Sequence, residues 1–428
     1  MERIRKAYRI RGEIEVPGDK SISHRALILG SMSSGECEFW NLSRALDVLS
    51  TRICLEKLGV RIRREGGRYI VKGKGLTGYR EPEDVLNAGN SGTTMRILSG
   101  LLSAQPFLSI ITGDSSLRER PMRRVIEPLR LMGAQIFGRD EGRKAPIVIK
   151  GGRLKGINYK MDVSSAQVKS AILIAGLYAE GETLVEEPSK SRDHTERMLR
   201  GMGASISFEE KRVRVERTGK LEPISMRIPG DISSASFFIV LSLLHPDASL
   251  KIKNVLLNPT RTGIIDVLKK MGGKIEVENR GEERGEPFGD IYVETSRLSG
   301  IEIGGDIIPK VIDEIPLLAL AGALSEGETI IKDAEELRYK ETDRIRATVE
   351  GLRLMGAKIE ERRDGMIIEG VDSLKGARCD SHGDHRMAMT FSIAGLIAEG
   401  ETEIKGYESV IYSYPKFWED IKRVAIWR

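Results

Sequence analysis

The chain has 428 residues, of which 40% are hydrophobic and 31% are charged, a composition typical of a globular protein long enough for two domains. With 68 basic and 63 acidic residues, the net charge of +5 is too small to favour a nucleic-acid-binding protein, and three cysteines without paired spacing argue against a disulfide framework or a zinc site. The first residues have no signal-peptide pattern and no apolar run approaches the ~18 residues of a membrane span, so the sequence predicts a cytoplasmic protein without membrane segments.

A short sequence recurs along the chain and divides it into units. "GET" triplets begin at Gly181, Gly327 and Gly400, of which the last two are 73 positions apart and the first two 146. A related copy begins at Gly35, and weaker copies stand near positions 108 and 254, so six units fill the chain. Because this period is too long for an ordinary solenoid repeat, each unit is predicted to be a supersecondary module with its own helices and strands.

Within each unit the predicted elements follow one order. An apolar helix ends before the "GET" turn, a strand follows, and a second helix ends in a sequence such as "LRLMGA" before a pair of strands. Gly66-Gly67 and Asp364-Gly365 are predicted to form the turns of two such hairpins. The first helix of each unit is apolar nearly all round, which predicts burial on every side. The module is therefore α-β-α-β-β, completed by a strand from a neighbouring unit.

The turns that precede the apolar helices contain most of the unusual polar residues. In chain order they are "PGDKSISHR" (17–25), "NAGNSGTTMR" (87–96), "VSSAQVKS" (163–170), "PGDISSAS" (229–236), "IDEIP" (312–316) and "HGDHRMA" (382–388). Helix N-termini offer unpaired N–H groups that suit phosphate and carboxylate, and Lys20, Arg25, Arg96 and Arg386 add full positive charges. This pattern predicts a site for a multiply anionic ligand. For "PGDISSAS", simple N-capping is the preferred explanation, and "GNSGTT" alone is weak evidence for a phosphate-binding loop.

Two further stretches are rich in charge. "LRERPMRR" (117–124) contains four arginines, most of them typical of a solvated surface, with Arg120 held in a stiff turn before Pro121. "LRYKETDRIRA" (337–347) is predicted to begin a helix in which Lys340 and Arg344 project to one side, and an ordinary ion-paired helix remains an alternative.

Several cofactor classes have no motif in the chain. The five histidines lack metal-ligand spacing, and neither a Walker A sequence nor a dinucleotide fingerprint nor GxSxG occurs. The sequence therefore predicts no metal and no cofactor, and does not favour ATP or NAD as a ligand.

Together these motifs closely resemble those of the 5-enolpyruvylshikimate-3-phosphate (EPSP) synthase family. The resemblance runs from "GDKSISHRALILGS" to "SYPKFWEDI" and includes "GNSGTTMR", "RPM", "SSAQVKSA", "KETDR" and "DHRMAM". It implies an α/β fold of two domains, each with three βαβαββ repeats whose parallel helices lie inside and whose sheets lie outside. The implied domains are 1–18 with 231–428, and 19–230, with the active site in the cleft between them.

The resemblance also implies an activity and a set of site residues. The family transfers the enolpyruvyl group of phosphoenolpyruvate to the 5-hydroxyl of shikimate 3-phosphate in the shikimate pathway, without metal or cofactor. By position, the implied catalytic residues are Lys20, Asp313 and Glu341. The implied shikimate 3-phosphate site consists of Lys20, Ser21, Arg25, Ser164, Ser165, Gln167, Arg192, Asp313 and Lys340. The implied phosphoenolpyruvate site consists of Lys20, Gly92, Thr93, Arg120, Gln167, Arg344 and Arg386.

Finer features of the motifs bear on subclass and on rival functions. "GDKS", "SAQVK", "RDHTE" and "NPTR" resemble the class II subclass, described as insensitive to the herbicide glyphosate, although Gly92 stands where its well-known members have alanine. The related transferase that acts on UDP-N-acetylglucosamine usually has Lys-Asn in place of Lys20-Ser21 and a cysteine in the loop matching "GDSSLRER". An RNA-processing protein related to RNA 3′-phosphate cyclases is a rival of another class, but aromatic residues make up only 5% of the chain. The expected partners are thus the two small substrates, with no nucleic acid and no membrane, and the expected state is a monomer.

Overall fold

The computed structural model describes residues 2–427. The strands in this range, in chain order, are β1 (Glu2–Arg5), β2 (Arg9–Ile14), β3 (Glu36–Trp40), β4 (Arg61–Glu65), β5 (Arg68–Lys72), β6 (Leu86–Asn87), β7 (Leu108–Thr112), β8 (Gln135–Gly138), β9 (Lys144–Lys150), β10 (Asn158–Lys160), β11 (Thr183–Glu186), β12 (Ile206–Glu209), β13 (Arg212–Val215), β14 (Ser225–Arg227), β15 (Ala248–Leu256), β16 (Lys274–Glu283), β17 (Glu286–Glu294), β18 (Glu302–Ile303), β19 (Glu328–Ile331), β20 (Lys358–Arg362), β21 (Gly365–Glu369), β22 (Arg378–Asp380), β23 (Glu401–Lys405) and β24 (Ala425–Ile426).

The helices alternate with these strands. In chain order they are α1 (Lys20–Met32), α2 (Leu46–Lys57), α3 (Gly92–Ser103), α4 (Ser115–Glu119), α5 (Arg123–Leu131), α6 (Arg139–Gly142), α7 (Ala166–Gly176), α8 (His194–Gly201), α9 (Ile232–Leu244), α10 (Gly263–Lys270), α11 (Ile308–Val311), α12 (Ile315–Ala323), α13 (Arg344–Leu354), α14 (His385–Ile397) and α15 (Phe417–Val424). Short 3₁₀ helices cover Gly305–Ile307, Glu335–Tyr339 and Tyr407–Tyr412. Among residues 2–427, no helix combines the length and apolarity needed to cross a bilayer.

The sheets repeat one topology. Four of them have the orders β14-β3-β5-β4, β6-β7-β9-β8, β10-β11-β13-β12 and β18-β19-β21-β20. In each, the first two strands are parallel and the remaining pairings are antiparallel. The two other sheets, β16-β17-β15-β2-β24 and β1-β23-β22, have the same parallel pair flanked by an antiparallel strand. This is the predicted βαβαββ arrangement. It includes the borrowed strand, because β14, which completes the sheet of β3, β4 and β5, comes from a later part of the chain.

The chain divides into two compact units, each with three of these sheets. Unit 1 consists of residues 1–17, 229–281 and 287–428, and unit 2 of residues 18–228 and 282–286. Unit 2 contains the apolar helices α1, α3 and α7, and unit 1 contains α9, α12 and α14. From Ile232 to Leu243 every residue of α9 is buried, as the all-round apolar pattern predicts. Within unit 2, α3 packs directly on α7: a β-carbon at Gly100 would lie 2.2 Å from the carbonyl oxygen of Ala171.

The tip of the β16–β17 hairpin departs from the expected domain limits. The prediction assigns all of 231–428 to one domain, whereas residues 282–286 pack with unit 2. The reason is specific bonding at the tip: Glu283 accepts a hydrogen bond from the backbone N–H of Arg227 at 3.1 Å, and Glu286 lies 2.7 Å from Nδ1 of the buried His194.

The recurring "LxxMG" sequence ends the second helix of most units. At the end of α13, the N–H of Ala357 donates to the carbonyl of Leu352 at 3.0 Å and the N–H of Gly356 to that of Arg353 at 2.9 Å. This is a Schellman cap, which requires a left-handed residue, and Gly356 has φ of +92°. The corresponding glycines 59, 133, 203 and 272 also have positive φ. The repeat is therefore a helix-stop signal, present in five of the six modules.

Candidate active site

The predicted site residues of unit 2 lie at or near the N-termini of buried helices. Asp19 caps α1 by accepting a hydrogen bond from Ile22 N at 2.8 Å, and Ser91 caps α3 by accepting from Thr94 N at 3.1 Å. Ser165 caps α7 in the same way, accepting from Val168 N at 3.5 Å. The cap itself needs a short polar side chain, whereas the next one or two residues do not take part in capping and can bind a ligand. Lys20, Gly92 with Thr93, and Gln167 occupy those positions.

Hydrogen bonds join the starts of α3 and α7. The Gln167 amide nitrogen donates to the Thr93 hydroxyl at 2.9 Å, while its oxygen accepts from Arg96 Nη1 at 2.6 Å. Arg120, which is 8% exposed, donates to Asn90 Oδ1 at 2.6 Å, and Asn90 donates in turn to Asp114 at 2.7 Å. Thus Thr93, Gln167 and Arg120 are fixed by neighbours before any ligand binds.

A second network joins α1 to α7 and α8. Arg25 is 2% exposed and donates to Thr195 Oγ1 at 2.7 Å, Ser170 Oγ at 2.8 Å and the Ser21 carbonyl at 3.0 Å. Burial lowers the pKa of Arg25 to about 10, partly opposed by the charge of Glu196, so the guanidinium remains protonated at neutral pH. Arg192 donates to the Ser21 hydroxyl at 3.2 Å. Arg25 is therefore a structural centre of this network, whatever else it binds.

Lys20 has a carboxylate neighbour that the sequence did not indicate. Its Nζ lies 2.9 Å from Oδ2 of Asp47, in the first turn of α2. The two side chains are 17% and 8% exposed, so the pair is partly shielded from water. Asp47 restricts the lysine amine to a small volume at the start of α1.

Ser164 and Ser165 are both engaged locally. Ser164 donates its hydroxyl to the carbonyl of Ser189 at 2.5 Å and accepts from Ser189 N at 2.9 Å, tying the start of α7 to the loop that leads to Arg192. Ser165 is the α7 cap described above. The hydroxyls of Ser164 and Ser165 are thus both hydrogen-bonded within the protein.

In unit 1, Arg344 is the centre of the predicted site. It is 2% exposed and forms a two-point contact with Asp384, at 2.7 Å from Nε and 3.3 Å from Nη2. It also donates to Glu341 at 2.6 Å and to Asp313 at 3.3 Å. Burial opposes the charge on Arg344, but Asp384, Glu341 and Asp313 outweigh burial and raise its pKa above the ordinary value. Both predicted catalytic carboxylates of this unit are therefore held by one permanent cation.

Arg386 lies beside the same acids. Its Nη2 is 3.7 Å from Asp313 Oδ2, and its Nη1 is 3.7 Å from Oε1 of the buried Glu314. Asp384, the cap of α14, accepts from Arg386 N at 2.8 Å. Burial raises the pKa of Glu314, opposed by Arg386, and Glu314 accepts a hydrogen bond from Ser233. Arg386 makes no close hydrogen bond to these acids, so its side chain retains donors for an anionic ligand.

These features can be compared with known proteins. The EPSP synthase (3-phosphoshikimate 1-carboxyvinyltransferase) family profile matches residues 4–421. The chain belongs to the EPSP synthase family. A 3-phosphoshikimate 1-carboxyvinyltransferase from Desulfitobacterium hafniense is 52% identical, with 99% of this chain and 97% of the relative aligned. One from Roseiflexus castenholzii is 51% identical, with 97% of each chain aligned.

A solved structure gives the same result for the fold. EPSP synthase from Acinetobacter baumannii superimposes with a TM-score of 0.88 at 43% identity, covering 100% of this chain and 99% of that one. The fold class and the EPSP synthase family predicted from the sequence are both confirmed.

The EPSP synthase motifs lie close together within each unit. One local prediction, the start of α13, was wrong. The sequence predicts Lys340 and Glu341 in one helical turn with Arg344, but α13 begins at Arg344, because Asp343 caps it by accepting from Arg346 N at 3.1 Å. Lys340 and Glu341 therefore lie in the preceding loop, where Glu341 folds back to Arg344. Burial lowers the pKa of Lys340, with Asp313 opposing that shift.

Several residues that support the EPSP synthase site were not predicted. They are Asp47, Asn90, Asp384, Glu314 and Thr195, each bonded to a predicted site residue or next to one. Asp384 and Asn90 stand inside the quoted motifs "DHRMAM" and "GNSGTTMR", which was an available signal. Thr195 and Glu314 likewise stand inside the quoted sequences "RDHTE" and "IDEIP". Asp47 stands in none of them, and only the tertiary structure brings it to Lys20.

Proposed function

We propose that this chain is a 3-phosphoshikimate 1-carboxyvinyltransferase of the shikimate pathway, which leads to the aromatic amino acids. Its curated relatives carry this name at 51–52% identity over nearly their whole length. The observation in the geometry that best supports the proposal is the contact of one buried arginine, Arg344, with both Asp313 and Glu341. Two carboxylates fixed beside permanent cations are what proton transfer next to anionic substrates requires.

The reaction sets the chemical demands. The 5-hydroxyl oxygen of shikimate 3-phosphate bonds to C2 of phosphoenolpyruvate, its proton leaves to a base, and C3 gains a proton. The resulting tetrahedral ketal then loses phosphate by cleavage of its C2–O bond while C3 gives up a proton, which restores the double bond. Proton donors and acceptors are needed in both steps, and positive charge is needed for the phosphates and carboxylates.

We assign the proton transfers to Asp313, Glu341 and Lys20. Asp313, a carboxylate that lies 3.3 Å from Arg344 and 3.7 Å from Arg386, binds the substrate hydroxyls and accepts the 5-hydroxyl proton. Glu341 and Lys20 transfer protons to and from C3 and donate a proton to the departing phosphate. Lys340, whose pKa is lowered by burial, contributes to the shikimate 3-phosphate site.

We assign the anion contacts to arginines and to residues at helix N-termini. Arg120, Arg344 and Arg386, with Gly92, Thr93, Gln167 and Lys20, bind phosphoenolpyruvate. Ser21, Arg25, Ser164, Ser165, Gln167 and Arg192, with Lys20, bind shikimate 3-phosphate. The planar guanidinium matches carboxylate and phosphate oxygens two at a time, which favours arginine over lysine at such positions.

A sharp test of the proposed chemistry follows the bridging oxygen of phosphoenolpyruvate. With ¹⁸O at that position, cleavage of the C–O bond delivers the label to inorganic phosphate, which mass spectrometry detects. Label retained in the enolpyruvyl product or in pyruvate contradicts the proposal, because it requires phosphorus–oxygen cleavage.

Replacing Asp47 with asparagine is expected to lower kcat by about 10- to 100-fold, because Lys20 loses the carboxylate that positions its amine. Steady-state kinetics measure the effect, and glutamate at position 47 is expected to recover more activity than asparagine. The matched control is Asp84→Asn, which removes the carboxylate of an exposed Asp–Lys pair, 3.0 Å from Lys57. Equal kcat values for the two variants contradict the positioning role.

We further propose that the enzyme belongs to the class II subclass and acts as a cytoplasmic monomer. The support for the subclass is the set of motifs around Lys20, Gln167, Arg192 and Arg261. Size-exclusion chromatography with light scattering tests the oligomeric state, for which one chain corresponds to 47.5 kDa.

The change Gly92→Ala is expected to raise the glyphosate concentration for half-inhibition by at least ~10-fold, and the KM for phosphoenolpyruvate by less. A β-carbon at position 92 would lie 3.0 Å from Arg96 Nη1 and 3.5 Å from Arg120 Nη1, so it narrows the space beside the phosphoenolpyruvate arginine. Inhibition curves at several phosphoenolpyruvate concentrations measure both quantities. Gly201→Ala is the control, since a β-carbon there meets nothing within 4 Å. Equal rises in both quantities for Gly92→Ala contradict the expectation.

A further inference from the structure

A cavity of about 370 Å³ in unit 2 is lined by cations and glycines alone. Its charged residues are Arg61 on β4, Lys72 at the end of β5, and Lys74 and Arg80 in the segment that follows. Gly59, Gly73 and Gly78 complete the lining. None of these seven residues belongs to the predicted active site, and the volume suits a small-molecule ligand.

The four cations lack carboxylate partners in the part of the chain that the structure describes. Two neighbouring acids, one across the ladder and one farther along the chain, contact other cations. Glu36, the cross-strand neighbour of Lys72, lies 3.4 Å from Arg63, and Asp84 lies 3.0 Å from Lys57. Four positive charges around one concavity without a counter-charge leave a strong local attraction for an anion.

The internal repeat provides a direct comparison for this arrangement. Arg61 and Lys72 are paired directly across the β4–β5 ladder, where like charges are unfavourable. The corresponding pairs in three other hairpins are Gln135 with Lys150, Ile206 with Val215, and Lys358 with Glu369. In the last of these, Lys358 Nζ lies 2.7 Å from Glu369 Oε1. The fold thus accepts a pair with one charge, an apolar pair or an ion pair at this place, and among these four hairpins the like-charged pair occurs in the first.

The cavity backbone is held in place by hydrogen bonds. Arg80 N donates to the carbonyl of Leu58 at 3.0 Å, and Lys74 N donates to that of Ser31 at 2.7 Å. Gly59 lets the Arg80 side chain lie against this turn, since a β-carbon there would be 2.8 Å from Arg80 Nε. The C-terminus of α2 attracts one cation, which accounts for Arg80 by itself but not for the other three.

We propose that this cavity binds a small multivalent oxyanion, namely a phosphoryl or polyphosphate group. Such a ligand accepts hydrogen bonds from Arg61 and Arg80 and relieves the repulsion between Arg61 and Lys72. The cavity is a site separate from the active-site residues, so its occupancy does not depend on the proposed reaction.

The test uses isothermal titration calorimetry of the full-length protein with inorganic pyrophosphate at low ionic strength. Lys72→Glu is the informative variant, because it removes one cation of the cavity and places a carboxylate opposite Arg61, as Glu369 is opposite Lys358. The new carboxylate also faces Glu36 on β3, so thermal unfolding verifies that the variant is folded. Lys150→Glu is the matched control: it is the equivalent exposed position of the second module, faces the neutral Gln135, and changes the net charge equally. Turnover is measured in parallel for all three proteins.

We expect Lys72→Glu to lose one equivalent of bound pyrophosphate, or to weaken it by at least ~10-fold, with Lys150→Glu like the original protein and turnover unchanged. Unchanged pyrophosphate binding in Lys72→Glu overturns the proposal. Equal weakening in both variants overturns it also, because the effect is then one of net charge. A single-stranded oligonucleotide that binds more tightly than pyrophosphate and is lost in Lys72→Glu overturns the assignment to a small oxyanion.

Discussion

Replacing Glu341 with glutamine is expected to lower kcat by at least ~10²-fold while leaving the fold intact. Glutamine has the same shape and still accepts the hydrogen bond from Arg344 Nη2, which Glu341 accepts at 2.6 Å. It cannot exchange a proton, so the loss measures proton transfer rather than packing. Circular dichroism verifies the fold, and steady-state kinetics with both substrates measure kcat.

The control for this variant lies on α13, the helix that begins at Arg344. Glu350 accepts a hydrogen bond from Arg346 at 2.8 Å on the exposed side of α13, so Glu350→Gln makes the same chemical change to another arginine partner. We expect its kcat to match that of the original protein. A Glu341→Gln variant that retains more than about one tenth of the original kcat contradicts the assigned role.

Replacing Arg344 with methionine is expected to reduce the free energy of unfolding of unit 1 by about 3–5 kcal/mol and to abolish turnover. Arg344 is the two-point partner of Asp384, which is fully buried, so its removal leaves an uncompensated buried charge. Urea unfolding followed by tryptophan fluorescence measures the stability. Trp418 and Trp427 report on unit 1, and a Trp40→Phe background removes the single tryptophan of unit 2.

Two further variants separate charge from packing. Arg346→Met changes an exposed arginine of the same helix and is expected to cost little, since its ion pair with Glu350 is solvated. Arg344→Met combined with Asp384→Asn removes the buried charge and retains a residue that caps helices well, so it is expected to regain most of the lost stability without regaining activity. The interpretation fails if Arg344→Met costs no more than Arg346→Met.

The repeat and the buried helices could be predicted from sequence because each rests on a local rule. All-round apolarity indicates burial, and glycine after "LxxM" indicates a left-handed helix stop, as at Gly356 with φ of +92°. The turn at Gly66-Gly67 is also correct, since β4 and β5 pair Glu65 with Arg68 and leave only the two glycines between them. These features depend on residues adjacent in the chain.

Errors arose where a tertiary contact overrides a local pattern. The predicted turn Asp364-Gly365 is wrong by one position, because Gly365 pairs with Arg362 and belongs to β21. Gly365 is needed within the strand, since a β-carbon there would lie 1.9 Å from the carbonyl oxygen of Ile331 on β19. A glycine that permits a turn and one that permits close approach of a neighbouring strand look the same in a sequence.

The candidate site was predictable in its charged residues but not in their partners. Arginines next to helix starts identified Arg344 and Arg386, but nothing local indicates that Asp384, 40 positions away, binds Arg344. Likewise, nothing local indicates that Ser170 and Thr195, which lie on other helices, accept hydrogen bonds from the buried Arg25.

The most direct test of the central claim is the release of inorganic phosphate from phosphoenolpyruvate by the full-length protein, with shikimate 3-phosphate or UDP-N-acetylglucosamine as the acceptor. We predict release with shikimate 3-phosphate only, in an amount equal to the acceptor consumed, and its loss in Glu341→Gln. Release with UDP-N-acetylglucosamine alone, or with neither acceptor, would contradict the assignment of this chain as a 3-phosphoshikimate 1-carboxyvinyltransferase.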